Sequence, residues 1–417
     1  MPQTNKSYCE LPIPAQNYSV ELADILRKHI NDYQRKYKLH PDHYKVVANI
    51  LECRTAFLGG HIHQCSDCGS KKNVYNSCRN RHCPKCQTMV KARWLEARKA
   101  ELLPVQYFHN VFTLPHEINP VALCNKRIVY SILFRAVSET LLAFGRNPEN
   151  GLGGKLGVIT ILHTWDQKLN DHIHLHCVIP AGVLSFDNQF FKKGGKDFLF
   201  PVMALSKVFR GKFMEMLQAA YDDKKLIFPG RTEPCGTASG FRALTKTLWS
   251  KGWVVYSKKP FSGPETVLEY LSRYTHRVAI SNNRIKTCKG GKVTFTYRNR
   301  KKETTETLSI DPVEFIRRFL LHVVPPNFMR IRHFGIFANR CKKKNISQCR
   351  KFLGISEVGQ KPVVKSVEAL MLELTGTDIN RCPVCKKGMM KQVFEIPQLT
   401  GKGAHDFIQR PDRRNSS

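Results

Sequence analysis

Leu162–Gly182 reads LHTWDQKLNDHIHLHCVIPAG, and the right half of that stretch alternates as a β-strand does. His172, His174 and His176 take turns with Ile173, Leu175 and Cys177, after which Val178 and Ile179 continue the strand. Side chains two apart share a face, so three imidazoles project one way and apolar groups the other. Each neutral ring offers one lone pair, which suits a divalent metal. The preceding run Leu156–Leu162, LGVITIL, leads into His163, and the intervening WDQKLND has turn character. A hairpin would set His163 beside His174 and His176, making a three-imidazole site with open coordination positions.

The segments on either side supply a sheet and its cover. Upstream, Val105–Leu114 reads as a strand and Pro120–Phe144 as a long amphipathic helix. The order strand, helix, strand, strand suits an antiparallel sheet with helices packed on it. Helices are expected over Val20–Tyr37, His40–Cys53 and Thr88–Leu103, and downstream over Leu205–Tyr221 and Phe241–Lys251. Gly252–Ser257 reads as a short strand. Arg284–Lys286, GKVTFTYRNR and ETTETLSI read as a small antiparallel sheet, in which Phe295, Tyr297, Arg298 and Arg300 interleave aromatic and basic groups. That pattern suits either a single-strand groove or ordinary sheet packing. Asp311-Pro312 caps a helix through His322, and Ala338–Leu353 is a basic helix. The GLGG at 151–154 lacks a following Lys-Ser/Thr, which argues against a phosphate-loop NTPase, and no nucleotide cofactor is expected.

Cysteine spacing and charge point to zinc and a polyanion. Cys65-x2-Cys68 and Cys83-x2-Cys86 have the form of a four-thiolate zinc site, with Cys78 and His82 as alternative ligands. Arg79, Arg81 and Lys85 lie between or beside the ligands, placed to steady the thiolates or to grip DNA phosphates. A further pair, Cys382 and Cys385, lacks an adjacent partner, Cys341 and Cys349 being candidates. Lys+Arg outnumber Asp+Glu by 67 to 33 among 417 residues, giving a formal charge of +34 spread along the whole chain. That spread favours an extended nucleic-acid footprint over a localisation tag. Fifteen cysteines with paired CxxC units point to metal and a reducing compartment, and the expected location is the cytoplasm of a bacterial-type cell, at the nucleoid. No 18-residue apolar run spans a membrane, and MPQTNKSYCELPIP lacks a signal-peptide layout.

A third signal is GPETVLEYLSRYTHRVAISNNRI, with Pro264 in the first turn of a helix. Tyr270 and Tyr274 are four apart and share a face, among Arg273, His276 and Arg277. HIHLH on a strand, an upstream LHTW, YLSRYTHRVAISN and SCRNRHCPKC together resemble the two-tyrosine rolling-circle insertion-sequence transposases of the His-hydrophobic-His (HUH) endonuclease class, over roughly residues 40–350. The resemblance implies a five-stranded antiparallel core, and His174 and His176 as the paired ligands of Mg²⁺ or Mn²⁺. It also implies His163 as the third ligand, with His172 as alternate, and Tyr270 and Tyr274 as nucleophiles toward single-stranded DNA.

The expected fold is α+β, an antiparallel HUH-type core with flanking helices preceded by a helical and zinc-binding module. The expected parts are a helical segment (1–60), a zinc-binding DNA-recognition module (61–103), the catalytic domain (104–335), a basic helical region with its CxxC knuckle (336–400) and a disordered tail (401–417). The expected partners are single-stranded DNA and the DNA of the element's ends, with no membrane. A plasmid-type replication initiator or relaxase shares this chemistry, and a non-catalytic zinc DNA-binding regulator is the reading in which histidines and tyrosines only pack.

Overall fold

Two central strands paired through their histidines organise the molecule. The computed structural model describes residues 20–99, 101–195, 199–261, 266–267, 279–299, 301–355, 365–399, 403 and 408–410. The chain begins with helices Leu22–Lys36 and Pro41–Glu52. The first buries Leu22, Ile25, Leu26, Ile30 and Tyr33 along one helical stripe, as their spacing dictates. A small sheet starts with β1 (Gly60–Cys65) and β2 (Lys71–Tyr75), followed by the helix Gln87–Lys99. The central sheet takes β3 (Tyr107–Thr113), β4 (Gly157–Trp165) and β5 (Asp171–Pro180), and β6 (Gly182–Leu184) with β7 (Phe191–Lys193) form a short outlying hairpin. Helices Val202–Asp222 and Ala238–Ser250 lead to β8 (Val255–Phe261). A second meander, β9 (Ile285–Lys289), β10 (Lys292–Asn299) and β11 (Thr304–Ile310), runs into the helix Pro312–Leu321. Last come β12 (Ile331–Gly335), helices Lys342–Phe352 and Val367–Thr375, and β13 (Met390–Ile396).

The central sheet has five strands in the order β12-β4-β5-β3-β8, antiparallel at every junction, so the fold is α+β as expected. One face packs Phe108, Phe112, Leu162, Ile173, Leu175 and Cys177 against helices Lys126–Arg146 and Val202–Asp222. Each such fully buried side chain contributes roughly 1.5–3 kcal/mol. The opposite face is apolar at one end, where Tyr107, Ile159, Ile161 and Val178 meet Ile346 and Cys349 of the basic helix. At its other end that face carries the histidines. The sheet is thus held on both sides while the imidazoles stay on a rigid, partly uncovered corner.

Three features depart from the expectations. The long helix of 120–144 is two helices, Asn119–Cys124 and Lys126–Arg146, broken at Asn125. The Asn125 amide donates to the carbonyls of Val121 and Ile227 and accepts from Ile227 N–H, so the residue is recruited away from the helix to tie down a loop. β12 was not anticipated: it adds the edge strand beside β4, and its last residue, Gly335, has φ +62°, where a Cβ would stand 1.7 Å from the Leu156 carbonyl oxygen. Within the tail 401–417, Ile408 is buried against the N-terminal helices, and Gln409 exchanges two hydrogen bonds with Gln34. The N-terminal helices share a core with β9–β11, the helix Pro312–Leu321 and Cys83/Cys86, so they are packed into the body of the protein. Lys126–Arg146 is the one described helix long and apolar enough to cross a membrane, and 67% of its apolar window is buried here as core.

Candidate functional site

The hairpin β4–β5 builds the site. His163 and His174 are directly opposed across the two strands, and His176 follows on the same face. The turn is shaped by Asp166, whose Oδ1 accepts from the N–H groups of Lys168 and Asn170 at 2.8 Å each, with Leu169 in the left-handed region at φ 63°. Beneath it, buried His322 accepts from the Thr164 hydroxyl at 3.3 Å and donates from Nε2 to the Leu169 carbonyl at 3.1 Å. Burial pushes the His322 imidazole down to about 4. Its ordinary value is 6.5, so the unfolded chain takes up the proton first as pH falls. Stability is therefore complete above pH 6.5 and lost between 6.5 and about 4, by roughly 3 kcal/mol from this residue. Urea midpoints measured across that window should fall for the parent protein and fall less for His322→Gln; equal slopes would refute the assignment.

The three side chains His163, His174 and His176 are all buried, and their ligand nitrogens lie within 4.8 Å of one another. Nε2 of His174 and Nε2 of His176 are 3.1 Å apart, close to the roughly 3 Å between neighbouring ligands of a six-coordinate ion at about 2.1 Å. The other ring nitrogens are committed. His174 Nδ1–H donates to the His172 carbonyl at 2.8 Å, and His176 Nδ1 faces Nε2 of His109 at 2.9 Å. With a cation between them, both Nε2 atoms would offer lone pairs to it while the Nδ1 atoms keep the protons, the tautomers in which His174 Nδ1–H donates to the His172 carbonyl and His176 Nδ1–H to His109. His163 stacks on Trp165 at 4.8 Å and 16°. The donor set therefore fits a divalent ion. His172 is exposed at the mouth of the site and outside the trio, its ring 4.7 Å from that of His174.

His109, on β3, is the residue that sequence reasoning missed. It is buried, and burial followed by the charge of Lys258 pushes it down to about 3, so it is neutral. The signal was present, since FHN in the strand Val105–Leu114 puts His109 on the same face as Val111 and Thr113. Replacing His109 by Phe should weaken the site's affinity for Mn²⁺ by roughly 10–100-fold, read by titration calorimetry. Unchanged affinity would mean that His109 only packs.

The histidines floor a cleft of about 750 Å³ whose rim is supplied by distant segments: Lys168 and Asn170 of the turn, Tyr256 of β8, and Tyr297, Arg298 and Lys301 of the β10–β11 hairpin. Tyr297 and Arg298 of β10 thus line the same cleft as the imidazoles, whereas Phe295 is buried in the core shared with the N-terminal helices and Arg300 lies outside the described residues. A second cleft of about 520 Å³ lies across His163, lined by Arg79, Arg81, Arg98, Arg330 and Lys342. Arg81 donates to the Phe328 carbonyl, and Lys85 is ion-paired with Glu21. Tyr270, Arg273, Tyr274, His276 and Arg277 lie outside the described residues.

The cysteines do not assemble as their spacing suggested. Cys65/Cys68 and Cys83/Cys86 belong to separate clusters. Cys83 and Cys86 join Cys78 and Cys53, and Cys65 and Cys68 join Cys382 and Cys385. The reason is the strand pair β1–β2: it carries the Cys65 knuckle to one end of a hairpin, while Cys53, at the end of helix Pro41–Glu52, lies beside Cys78 and Cys86. His82 is buried but contributes to neither cluster, and Cys341 and Cys349 lie outside both.

The site thus consists of a five-stranded antiparallel sheet with imidazoles on its central hairpin and two cysteine clusters beside it. The sequence profile described as "Putative transposase" matches residues 157–345, and that described as "Transposase zinc-binding domain" matches residues 25–114. The chain is 43% identical over 387 residues to the protein named "Putative transposase y4qJ" of Sinorhizobium fredii, covering 91% of this chain and 96% of that one. It is 26% identical over 364 residues to the "Transposase for insertion sequence element IS801" of Pseudomonas savastanoi pv. phaseolicola, covering 86% and 85% of the two chains. The protein belongs to the IS91/IS801 family of insertion-sequence transposases, enzymes that cleave DNA and transfer strands.

Proposed function

We propose that the protein is a rolling-circle transposase that cleaves and rejoins single-stranded DNA at the ends of its element through a 5′-phosphotyrosine. The observation that carries this reading is the convergence of His163, His174 and His176 on the floor of a cleft rimmed by Lys168, Tyr297, Arg298 and Lys301. His163, His174 and His176 would hold Mg²⁺ or Mn²⁺, which would supply polarisation of the scissile phosphate and offset charge gathering on its oxygens. The protein's own groups do the rest. His109 and the His172 carbonyl fix the ring orientations, the rim cations hold flanking phosphates, and Tyr297 offers a face for a base. Tyr270 or Tyr274 then bonds to phosphorus as the 3′ oxygen departs, and the covalent link keeps the phosphodiester energy, so no ATP is consumed. By sequence position, Arg273 lies between the two tyrosines and Arg277 follows them. Arg79 and Arg81 line a second basic track towards His163.

Incubation with a library of labelled single-stranded oligonucleotides and Mn²⁺ tests this directly. A denaturant-stable protein–DNA adduct at element-end sequences is expected. Adducts at an origin-like sequence alone would favour an initiator or relaxase, and absence of any adduct a DNA-binding regulator.

Cys53, Cys78, Cys83 and Cys86 are proposed to hold structural zinc. Their sulfurs, 3.4 Å (Cys53–Cys86) and 3.6 Å (Cys78–Cys86) apart, approach the roughly 3.8 Å edge of a tetrahedron with 2.3 Å zinc–sulfur bonds. Changing both Cys83 and Cys86 to Ser should release this zinc, loosen the loop carrying Arg79 and Arg81, and weaken binding to element ends at least tenfold in a gel-shift titration. Full zinc content in that variant would exclude the assignment.

A further inference from the structure

The second cysteine cluster unites the two ends of the chain. Cys65 Sγ lies 3.6 Å from Cys385 Sγ, and Cys68 Sγ lies 3.7 Å from Cys382 Sγ, across sequence separations of 320 and 314 residues. These distances exclude disulfides, which need about 2.05 Å, and match a zinc–thiolate tetrahedron's edge of about 3.8 Å. The two knuckles are built alike. Cys65 Sγ accepts from Asp67 N–H at 3.4 Å and Cys68 N–H at 3.5 Å. Cys382 Sγ accepts from Val384 N–H and Cys385 Sγ from Gly388 N–H, each at 3.4 Å. Such N–H···S bonds stabilise thiolates. Gly388 closes the C-terminal knuckle so tightly over Cys65 that a Cβ there would stand 2.4 Å from its sulfur.

The sheet that carries these knuckles has almost no core of its own. β13 pairs with β1 from Gly60↔Ile396 to Cys65↔Met390, giving the order β13-β1-β2. Yet the buried apolar side chains of this unit are those of Cys65, Cys382 and Met390 among the described residues, with Cys385 packed against them. β2 and β13 are exposed over most of their length. A three-stranded sheet with so little apolar burial needs another source of stability, and a metal–ligand cross-link is the one its side chains can supply.

We propose that Cys65, Cys68, Cys382 and Cys385 hold a second zinc ion, which clasps the C-terminal segment 380–396 onto the N-terminal module. The C-terminal pair lies beyond both matched family segments, which end at residues 114 and 345. The clasp is independent of the DNA chemistry proposed above.

The test is zinc counting on the full-length, reduced protein by plasma mass spectrometry. Two zinc ions per chain are expected, one for each four-cysteine cluster. C65S/C68S, C382S/C385S and the variant lacking all four cysteines should each retain one, because both pairs serve a single ion. Gly388→Ala, which keeps every ligand, should also lose one. Limited trypsin digestion should release the segment following residue 365 faster from each variant than from the parent. A parent protein with a single zinc that C382S/C385S retains would overturn the proposal, whereas a single zinc that C382S/C385S loses would uphold it and remove the ion assigned to Cys53, Cys78, Cys83 and Cys86. A C382S/C385S protein that keeps two would also overturn it.

Discussion

A His174→Ala/His176→Ala variant should lose strand nicking about a thousandfold, the equivalent of about 4 kcal/mol of transition-state stabilisation. Its affinity for single-stranded DNA should change less than threefold. The two quantities separate because they draw on different parts of the molecule. Affinity comes mainly from phosphate neutralisation, and the formal charge of +34 is untouched by removing two neutral imidazoles. Cleavage depends on groups placed at the reacting phosphorus. His174 and His176 stand on a strand hydrogen-bonded on both sides, to β4 and to β3, so their truncation leaves the sheet in register. Single-turnover nicking in Mn²⁺ and anisotropy titrations without metal would measure the pair of effects. Normal cutting by the double variant would remove the three-histidine site from the mechanism.

The tyrosine pair should show a sharper division. Tyr270→Phe or Tyr274→Phe alone should leave oligonucleotide nicking within about tenfold of the parent, since one nucleophile suffices for one cut. Transposition requires two cuts and an exchange, so each single variant should lower it by at least a hundredfold. The double variant should form no covalent adduct while keeping its fold and zinc. Two other tyrosines line the histidine cleft and serve as the contrast. Tyr297 donates its hydroxyl to the Glu306 carboxylate, which raises its pKa and makes it a poor nucleophile at neutral pH. Tyr256, 53% exposed, stands at the cleft edge on β8. Peptide mapping of the trapped adduct should find DNA on Tyr270 or Tyr274; an adduct on Tyr256 would transfer the nucleophile's role to β8.

Local patterns proved the most legible part of this sequence. The period-two alternation of 172–177 located β5, its face and the pairing with His163, because register in a short hairpin is set by nearby residues. Asp311-Pro312 likewise announced a helix start, and the Asp311 side chain accepts from Val313 and Glu314 N–H as expected. Groupings that depend on tertiary structure were not legible. Two CxxC pairs fourteen residues apart looked like one site, and nothing in their spacing says that Cys53 and Cys382/Cys385 are the partners. β12, IRHFG, is short and carries charged and polar residues, so its place beside β4 depends on what packs over it. Asn125 reads as one more helical residue until the loop at Ile227 is brought against it.

The pairing of β1 with β13 also fixes an order of events during synthesis. The Cys68 and Cys382 knuckles are 314 residues apart, so at about 5–20 residues per second the ribosome needs roughly 16–60 s to deliver the second after the first. Over that interval β1 and β2 stand on the nascent chain without their third strand, and Cys65 and Cys68 without Cys382 and Cys385. A chain ending between residues 336 and 381 contains every strand of the central sheet and the three histidines but lacks Cys382, Cys385 and β13. The three-stranded sheet therefore closes only after residues 390–396 have been made.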